Sequence, residues 1–293
     1  MVSKHTSPRV LFPQSINEAL QMAAGENSPV FWAGGTGITA SLKPNSSLLN
    51  LPKVIISLRM LDELTRASRS ELGMEIGSMV TLDRLASIRR RILPPGLPET
   101  LALTGNKPLR CRATLGGHIA QALNRKEQGC LLPLLQLLEA TVEIRYLRER
   151  PRRKPVSAVK RIPLTQLENE EGLGSSQLIT RVNIPASSWN FVVVEKLPSS
   201  ESTASPLLFH SLARIEKSVL TDWRAAVSDA TGRILRNRET EAVVSGRSLP
   251  FSARDRSALE DGIKWLTKPW EDRPEDCAAV LRLAFDFMRK AAE

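Results

Sequence analysis

Cysteine and histidine are scarce in this chain of 293 residues. The three cysteines are scattered and odd in number, at Cys111, Cys130 and Cys277. The three histidines are equally far apart, at His5, His118 and His210. Such spacing excludes a disulfide framework and the paired-cysteine pattern of a metal site. The sequence therefore predicts neither a metal centre nor an iron–sulfur cluster held by this chain.

Long apolar runs are also missing, since no stretch approaches the roughly 20 residues that a membrane-spanning helix needs. Residues 1–5 carry charge without an apolar core behind them, which is not the pattern of a secretory signal. Hydrophobic residues make up 42% and charged residues 25%, as in ordinary globular proteins with a substantial core. We therefore expect a cytoplasmic protein with one large domain or a few small ones.

The net charge is +10, and basic residues crowd into positions 145–161, where Glu149 is the only acid. These residues are Arg145, Arg148, Arg150, Arg152, Arg153, Lys154, Lys160 and Arg161. Tyr146 is the only aromatic side chain nearby, which disfavours nucleic acid because bases need stacking partners. The run therefore fits either a docking surface for an acidic partner or a solvated hairpin.

Two glycine pairs stand out among the residues that are present. The first follows an apolar run at 30–32 and reads Ala33-Gly34-Gly35-Thr36-Gly37-Ile38; the second reads Thr114-Leu115-Gly116-Gly117-His118. Glycine permits tight turns and lets a ligand approach the backbone, and successive N–H groups in such a turn form an anion site. A plain turn is the alternative for either pair alone, whereas two such turns together suit a pyrophosphate.

Residues 35–40 also match the dinucleotide fingerprint, which requires a strand before it and a helix after it. Pro44 leaves room for about one helical turn after the glycines. Because no long crossover helix leads to a second parallel strand, we reject a Rossmann unit here.

Hydrophobic periodicity predicts an α+β protein. Predicted helices cover 15–24, 82–92, 98–105, 131–138, 237–244 and 277–292, and predicted strands cover 10–12, 30–32, 47–51, 54–58, 74–80, 141–146, 161–164, 178–184, 191–197 and 223–228. Ser15 and Glu18 form a capping box for the first helix, and Thr81 caps the second. The two strands beside the basic run are expected to pair as a hairpin.

The order of these motifs resembles the flavoprotein (medium) subunit of the xanthine dehydrogenase and carbon monoxide dehydrogenase family of molybdenum hydroxylases. The resemblance lies in Ala33-Gly34-Gly35-Thr36, the Ile-Gly-Ser-Met-Val-Thr run at 76–81, the stretch 110–120 and Leu131-Leu132-Pro133. Weaker similarity continues to position 246, so the match spans nearly the whole chain.

The resemblance implies a two-subdomain FAD-binding fold of the PCMH type, at 1–53 and 54–187, with a small α+β C-terminal domain of the CO dehydrogenase flavoprotein type at 188–293. It implies FAD between the first two subdomains. The implied cofactor-binding residues are Ala33, Gly34, Gly35, Thr36, Gly37, Ile38, Thr114, Leu115, Gly116, Gly117 and His118, with Ile179 and Lys196 at the flavin end.

The function that the resemblance implies is that of an FAD-dependent, xanthine dehydrogenase-like oxidoreductase subunit. It would relay electrons from partner iron–sulfur and molybdopterin subunits through FAD to NAD or another acceptor, with no acid–base catalytic residue of its own. The alternative is an assembly subunit that has lost tight FAD binding. Its basis is Cys130, which stands where the family has Asp, together with the polar insert at 124–129.

Overall fold

We describe the protein from a computed structural model that covers residues 8–40, 51–125, 130–167, 173–197 and 206–292. The predicted strand at 47–51 lies outside the described residues. The chain forms two compact units. The N-terminal unit comprises Met1–Ile92, Gly105–Arg125 and Glu139–Pro185, and the C-terminal unit comprises Leu93–Thr104, Lys126–Leu138 and Ala186–Glu293. The division into three domains at 53/54 and 187/188 stays a prediction.

The strands are, in chain order, β1 (Arg9–Leu11), β2 (Val30–Trp32), β3 (Val54–Ser57), β4 (Ala67–Ser70), β5 (Gly73–Gly77), β6 (Thr141–Arg150), β7 (Arg153–Pro163), β8 (Leu178–Pro185), β9 (Phe191–Leu197), β10 (Leu207–Glu216), β11 (Val219–Ser228), β12 (Ile234–Arg236) and β13 (Arg247–Ser248). The helices are α1 (Ile16–Ala24), α2 (Thr36–Ala40), α3 (Leu82–Ala86), α4 (Leu97–Leu103), α5 (Lys107–Arg112), α6 (Leu115–Arg125), α7 (Leu131–Leu137), α8 (Leu164–Leu167), α9 (Arg238–Val244), α10 (Ala253–Thr267) and α11 (Pro274–Ala292). This mixture confirms the predicted α+β class.

A small parallel sheet with the order β1-β3-β2 begins the N-terminal unit. Helix α1 covers it and buries Ile16, Ala19, Leu20 and Ala23. As predicted, the Ser15 hydroxyl accepts a hydrogen bond from the Glu18 N–H at 3.2 Å. The Glu18 carboxylate accepts from the Gln14 N–H at 2.7 Å, one residue earlier than a capping box requires.

A five-stranded antiparallel sheet with the order β4-β5-β8-β6-β7 completes this unit. The predicted hairpin across the basic run is confirmed as β6 and β7, and both strands extend further into that run than periodicity indicated. Hydrophobic periodicity did not predict strand β4, because Ala67–Ser70 is mostly exposed and lacks apolar alternation.

Helix α3 starts at the predicted cap, where the Thr81 hydroxyl accepts from the Arg84 N–H at 3.2 Å. It ends at Ala86 and does not reach residue 92 as predicted. The Ser87 hydroxyl donates to the Arg84 carbonyl at 2.7 Å, and the Arg69 guanidinium donates to the Arg91 carbonyl at 3.1 Å. These side-chain bonds satisfy the backbone without continuing the helix.

The C-terminal unit has three layers, and the antiparallel sheet β12-β11-β10-β9 is the middle one. Helices α9, α10 and α11 pack on one face, and α4 and α7 pack on the other. Trp223 and Phe209 are fully buried in the helix-covered core on the first face. The Trp223 indole donates to the Ser211 hydroxyl at 2.9 Å, which satisfies its one polar group.

A buried ion pair fixes α9 to the sheet of this unit. The Arg236 guanidinium, on β12, donates to both carboxylate oxygens of Glu241 at 2.8 Å, and it also donates to the Gln136 carbonyl at 3.2 Å. Glu241 further accepts from the Ala225 N–H at 3.2 Å. Both charged side chains are only about one-tenth exposed, at 11% and 10%.

His210 lies in the middle of β10, opposite Val194 and Ala226, and is fully buried. Neither ring nitrogen has a hydrogen-bond partner among the described residues. Burial lowers its pKa to about 4, because the charged imidazolium would lose its hydration in this environment.

We expect His210 to make the protein acid-sensitive. The unfolded chain takes up a proton near pH 6.5 and the folded chain only near 4, so stability is lost as pH falls through this window. The expected loss from one such group is about 2 kcal/mol at about pH 5. His210→Leu removes the orphaned nitrogens and should reduce this acid loss. Urea unfolding at about pH 7.5 and pH 5 measures it.

Burial also lowers the pKa of His118 to about 4, so His118 destabilises the folded chain over the same pH range as His210. His210→Leu should therefore reduce the acid-induced loss of stability without abolishing it. An identical loss in the variant and the wild type would contradict the assignment.

Candidate functional site

Three parallel strands end at the same edge of the small sheet. Each is followed by a residue that lines a common surface cavity. Phe12 follows β1, Arg59 follows β3, and Ala33-Gly34 follows β2. Ligands of parallel sheets generally bind beyond the carboxyl ends of the strands. The first glycine pair therefore stands where a ligand site is expected.

Gly34 and Gly35 are glycines for steric reasons that the structure makes explicit. A Cβ atom on Gly34 would lie 1.8 Å from the carbonyl oxygen of Arg112, which is a backbone atom and not the end of a flexible side chain. Gly35 has φ +73°, and a Cβ there would lie 2.4 Å from the Trp32 ring. Among the described residues, the N–H groups of Gly34, Gly35 and Thr36 donate to no other group. These amides are available to an anion.

The second glycine pair is not the open turn that the sequence suggested but the first turn of α6. Here Leu115 N–H donates to the Val80 carbonyl and Gly116 N–H to the Ser78 carbonyl, each at 2.9 Å. Gly117 N–H donates to the Thr114 hydroxyl at 3.2 Å, which caps the helix. The second motif therefore offers a ligand the positive end of an eleven-residue helix, whereas its backbone amides are already bonded.

Two adjoining cavities, of about 360 Å³ and 320 Å³, lie against these motifs in the N-terminal unit. Both are lined by Ala33 and Gly117. Of the predicted site residues, the larger cavity is also lined by Gly34, Gly35, Thr36, Gly37, Ile38 and Thr114, and the smaller one by Gly116 and Ile179. The structure thus brings ten of the thirteen predicted residues to one place.

The remaining three predicted residues are placed differently. Leu115 is buried beneath the cavities. His118 lies on α6 and lines neither cavity; its Nε2 atom is buried without a partner among the described residues, and its pKa of about 4 keeps the ring neutral. Lys196 belongs to the C-terminal unit, near the end of β9.

Lys196 interacts electrostatically with the thiol of Cys130 in the same unit. Cys130 precedes α7, and burial raises the pKa of its thiol, while the positive charge of Lys196 and a hydrogen bond with Thr104 oppose that rise. A thiol with a raised pKa is a poor nucleophile. The structure therefore favours a structural role for Cys130 over a reactive one.

The sequence did not identify five polar residues that line the cavities: Ser78, Ser175 and Gln177 at the smaller, Gln121 at the larger, and Asn124 at both. Gln121 and Asn124 follow Gly117 at four and seven positions, on one face of α6. Their spacing would have revealed them had the second glycine motif been read as a helix.

The structure limits other kinds of site. Within the described ranges, three or more histidine, cysteine or acidic side chains nowhere come close enough to hold a metal ion. Within the same ranges, each helix is too short or too polar to cross a bilayer.

Comparisons with known proteins identify the family and the fold of this chain. Residues 5–187 match the sequence profile of the FAD binding domain in molybdopterin dehydrogenase. The chain is 27% identical over 266 residues to the nicotine 6-hydroxylase medium subunit of Paenarthrobacter nicotinovorans, which covers 88% of this chain and 87% of that one.

Two solved structures share the fold over nearly their whole length. Quinoline 2-oxidoreductase from Pseudomonas putida 86 aligns with a TM-score of 0.77 at 19% identity, over 99% of both chains. Carbon monoxide dehydrogenase from Hydrogenophaga pseudoflava aligns with a TM-score of 0.76 at 19% identity, over 96% of both chains. These likenesses confirm the PCMH-type fold with its CO dehydrogenase-type C-terminal part.

The family match defines residues 5–187 as the FAD-binding domain of an oxidoreductase. The chain belongs to the FAD-binding domain family of molybdopterin dehydrogenases, the medium subunits of the molybdenum hydroxylases. The resemblance seen in the sequence is thereby confirmed.

Proposed function

We propose that this chain binds FAD in the two adjoining cavities and serves as the electron-transferring subunit of a molybdenum hydroxylase. The observation that carries the proposal is the close approach of Gly34 to the Arg112 backbone. It brings the N–H groups of residues 34–36, which have no acceptor within the described part of the chain, beside the start of α6. An anionic pyrophosphate fits such amides and such a helix end.

The residues present fit FAD in two further respects. The described residues that line both cavities include no acidic side chain, so nothing there repels a phosphate. Alanine, glycine and aliphatic side chains make most of the lining, which suits the apolar faces of a flavin or adenine. Thr36 and Thr114 place hydroxyl groups at the same cavity. When bound, FAD supplies the electron-accepting and electron-donating chemistry.

The roles of the individual residues follow from their positions. The amides of Gly34, Gly35 and Thr36 would hold the pyrophosphate, and Gly37, Ile38 and Thr114 would complete that end. Ile179 would pack against the flavin end. His118 is neutral near pH 7 and offers one donor or one acceptor. The resemblance to the family is the ground for proposing that Lys196 supplies a positive charge at the flavin end.

We further propose that the complete enzyme hydroxylates an N-heterocycle. Nicotine and quinoline, named in two of the similar proteins, are both N-heterocycles. Xanthine is an N-heterocycle as well, so a xanthine dehydrogenase-like activity belongs to the same class of reaction. Partner subunits with iron–sulfur clusters and a molybdopterin cofactor would deliver electrons, and NAD or another acceptor would receive them.

The proposal is tested by titrating the purified chain with FAD and, in parallel, with FMN. The quenching of tryptophan fluorescence reports binding, because Trp32 packs on Gly35 beside the cavities. FAD is expected to bind at least about 100-fold more tightly than FMN, since FMN lacks the bridging pyrophosphate and the adenosine that the glycine motifs would hold. A flavin band that survives gel filtration would support the proposal.

The second candidate function is an assembly subunit without tight FAD binding. Cys130 favours it, because a buried thiol with a raised pKa does not replace the hydrogen-bonding capacity of the carboxylate usual in the family. A chain that remains colourless with FAD but still joins its partner subunits would establish this function instead.

A further inference from the structure

The hairpin of β6 and β7 carries a cluster of cations that the FAD site does not use. We call it the basic tip and define it as Arg148, Arg150, Arg152, Arg153 and Lys154. Arg152 closes the turn with φ +58°. The cross-strand register places Arg150 directly opposite Arg153. Like charges in directly opposed positions destabilise a strand pair, so the hairpin alone gains nothing from this arrangement.

The base of the same hairpin is arranged in the opposite way. Glu143 is buried there and lies 3.3 Å from the Arg161 guanidinium and 3.9 Å from that of Arg145. The Thr180 hydroxyl donates to the Glu143 carboxylate at 2.8 Å. The cations of the base are therefore neutralised within the chain.

Within the part of the chain that the structure describes, the basic tip has no such counter-charge. Among the described residues, none of its five cations forms an ion pair or a side-chain hydrogen bond, and Glu149, the only acid nearby, pairs with none of them. A cluster of this kind creates a positive potential that attracts an anionic surface from outside.

Strand β7 adds an open edge to this cluster. It ends the sheet β4-β5-β8-β6-β7, so one side of its backbone has no neighbouring strand within the described structure. Val156 and Val159, next to the basic tip, are 37% and 52% exposed. Arginine interleaved with exposed aliphatic side chains is typical of protein–protein interfaces, whereas binding to single-stranded nucleic acid relies on aromatic stacking. Tyr146 is the only aromatic residue of the hairpin.

We propose that the basic tip and the adjoining edge of β7 form the docking surface for an acidic protein chain of the same complex. The inference rests on the proposed function, because that function supplies the partner chains. Arginine favours this occupant further, since its planar guanidinium pairs with Asp and Glu carboxylates through two hydrogen bonds.

The test uses the tagged full-length chain, produced in its native host so that its partner chains are present. Arg150→Gln, Arg153→Gln and Lys154→Gln are combined in one tip variant. The control combines Arg66→Gln, Arg89→Gln and Arg91→Gln, which removes the same charge from exposed positions of the same unit. Gel filtration with light scattering gives the mass of the complex, iron analysis reports the cluster-bearing partner, and flavin absorbance reports the FAD site.

At about 0.15 M salt, the tip variant should lose at least about tenfold in the fraction assembled while retaining its flavin, and the control should assemble like the wild type. The wild-type complex should also dissociate as salt is raised. Equal assembly of tip variant and wild type at every salt concentration would overturn the docking surface. So would a partner released by nuclease, which would identify nucleic acid as the occupant.

Failure of the docking proposal and failure of the proposed function remain distinguishable. A wild-type chain that holds flavin but is recovered alone at low salt overturns the docking surface and leaves the FAD site intact. A complex that assembles through the basic tip without flavin overturns the FAD proposal and supports the docking surface.

Discussion

Replacing Gly34 with alanine is expected to abolish FAD retention and to lower the free energy of unfolding by about 3 kcal/mol. The new methyl group would overlap the Arg112 carbonyl oxygen, 1.8 Å away, and would force the two glycine motifs apart. Because the backbone fixes the position of the Cβ atom and the Arg112 carbonyl is itself backbone, no rotamer change relieves the overlap. Urea unfolding and flavin absorbance after gel filtration measure the two effects.

Two further alanine variants make this result interpretable. Gly25→Ala adds a methyl group 3.6 Å from its nearest neighbour at the end of α1 and should leave both stability and flavin unchanged. Gly117→Ala meets the Thr114 hydroxyl at 2.9 Å but no backbone, and it projects beside Ala33 in both cavities. It should keep the fold and lose FAD affinity. If the single variants Gly34→Ala and Gly117→Ala both retain their full flavin content, the assigned site is refuted.

Replacing Arg236 with methionine is expected to destabilise the protein by about 3–5 kcal/mol, because the Glu241 carboxylate would stay buried without its guanidinium partner. The change should also remove the guanidinium's hydrogen bond to the Gln136 carbonyl near the end of α7. Urea denaturation of the variant gives the difference in unfolding free energy.

The double variant Arg236→Met with Glu241→Leu tests the cause of that loss. It removes both charges and should recover most of the stability, since an apolar pair leaves no buried carboxylate unpaired. Lys264→Met is the control, because its pair with Glu260 is exposed on both sides and should contribute nothing measurable. If the double variant is as unstable as Arg236→Met, the buried charge is not the cause.

Much of the fold follows from local sequence signals. Ser15 and Thr81 each start a helix where a capping side chain was expected, because such caps act within three residues. The hairpin of β6 and β7 was equally predictable from alternation on both sides of the basic run.

Hydrophobic periodicity missed elements that do not bury a single face along their whole length. Strand β10 is buried on both faces over Leu207–Ala213 and therefore shows no alternation, so hydrophobic periodicity predicts no strand there. Helix α10 begins with polar residues, and its buried positions start only at Leu259. Tertiary packing, not local pattern, decides such segments.

For the candidate site, sequence reasoning selected residues that mostly lie together in the structure, but it did not foresee their geometry. Ten predicted residues line the cavities, yet the bonded amides of Leu115 and Gly116 were not foreseen, because their acceptors lie at 78–80, far away in the chain. The steric need for Gly34 was hidden for the same reason, since Arg112 is its close neighbour only in the folded chain.

The segmented C-terminal unit has a consequence for how the protein is made. Helices α4 and α7 leave the ribosome before β10 and β11, the strands that cover α7, have been translated. At about 5–20 residues per second, the leucines of Leu131–Leu137 wait several seconds for their partners. An expression fragment cut at 187, where the family match ends, would keep those leucines uncovered permanently. We therefore expect such a fragment to aggregate, whereas the full-length chain benefits from chaperones during synthesis.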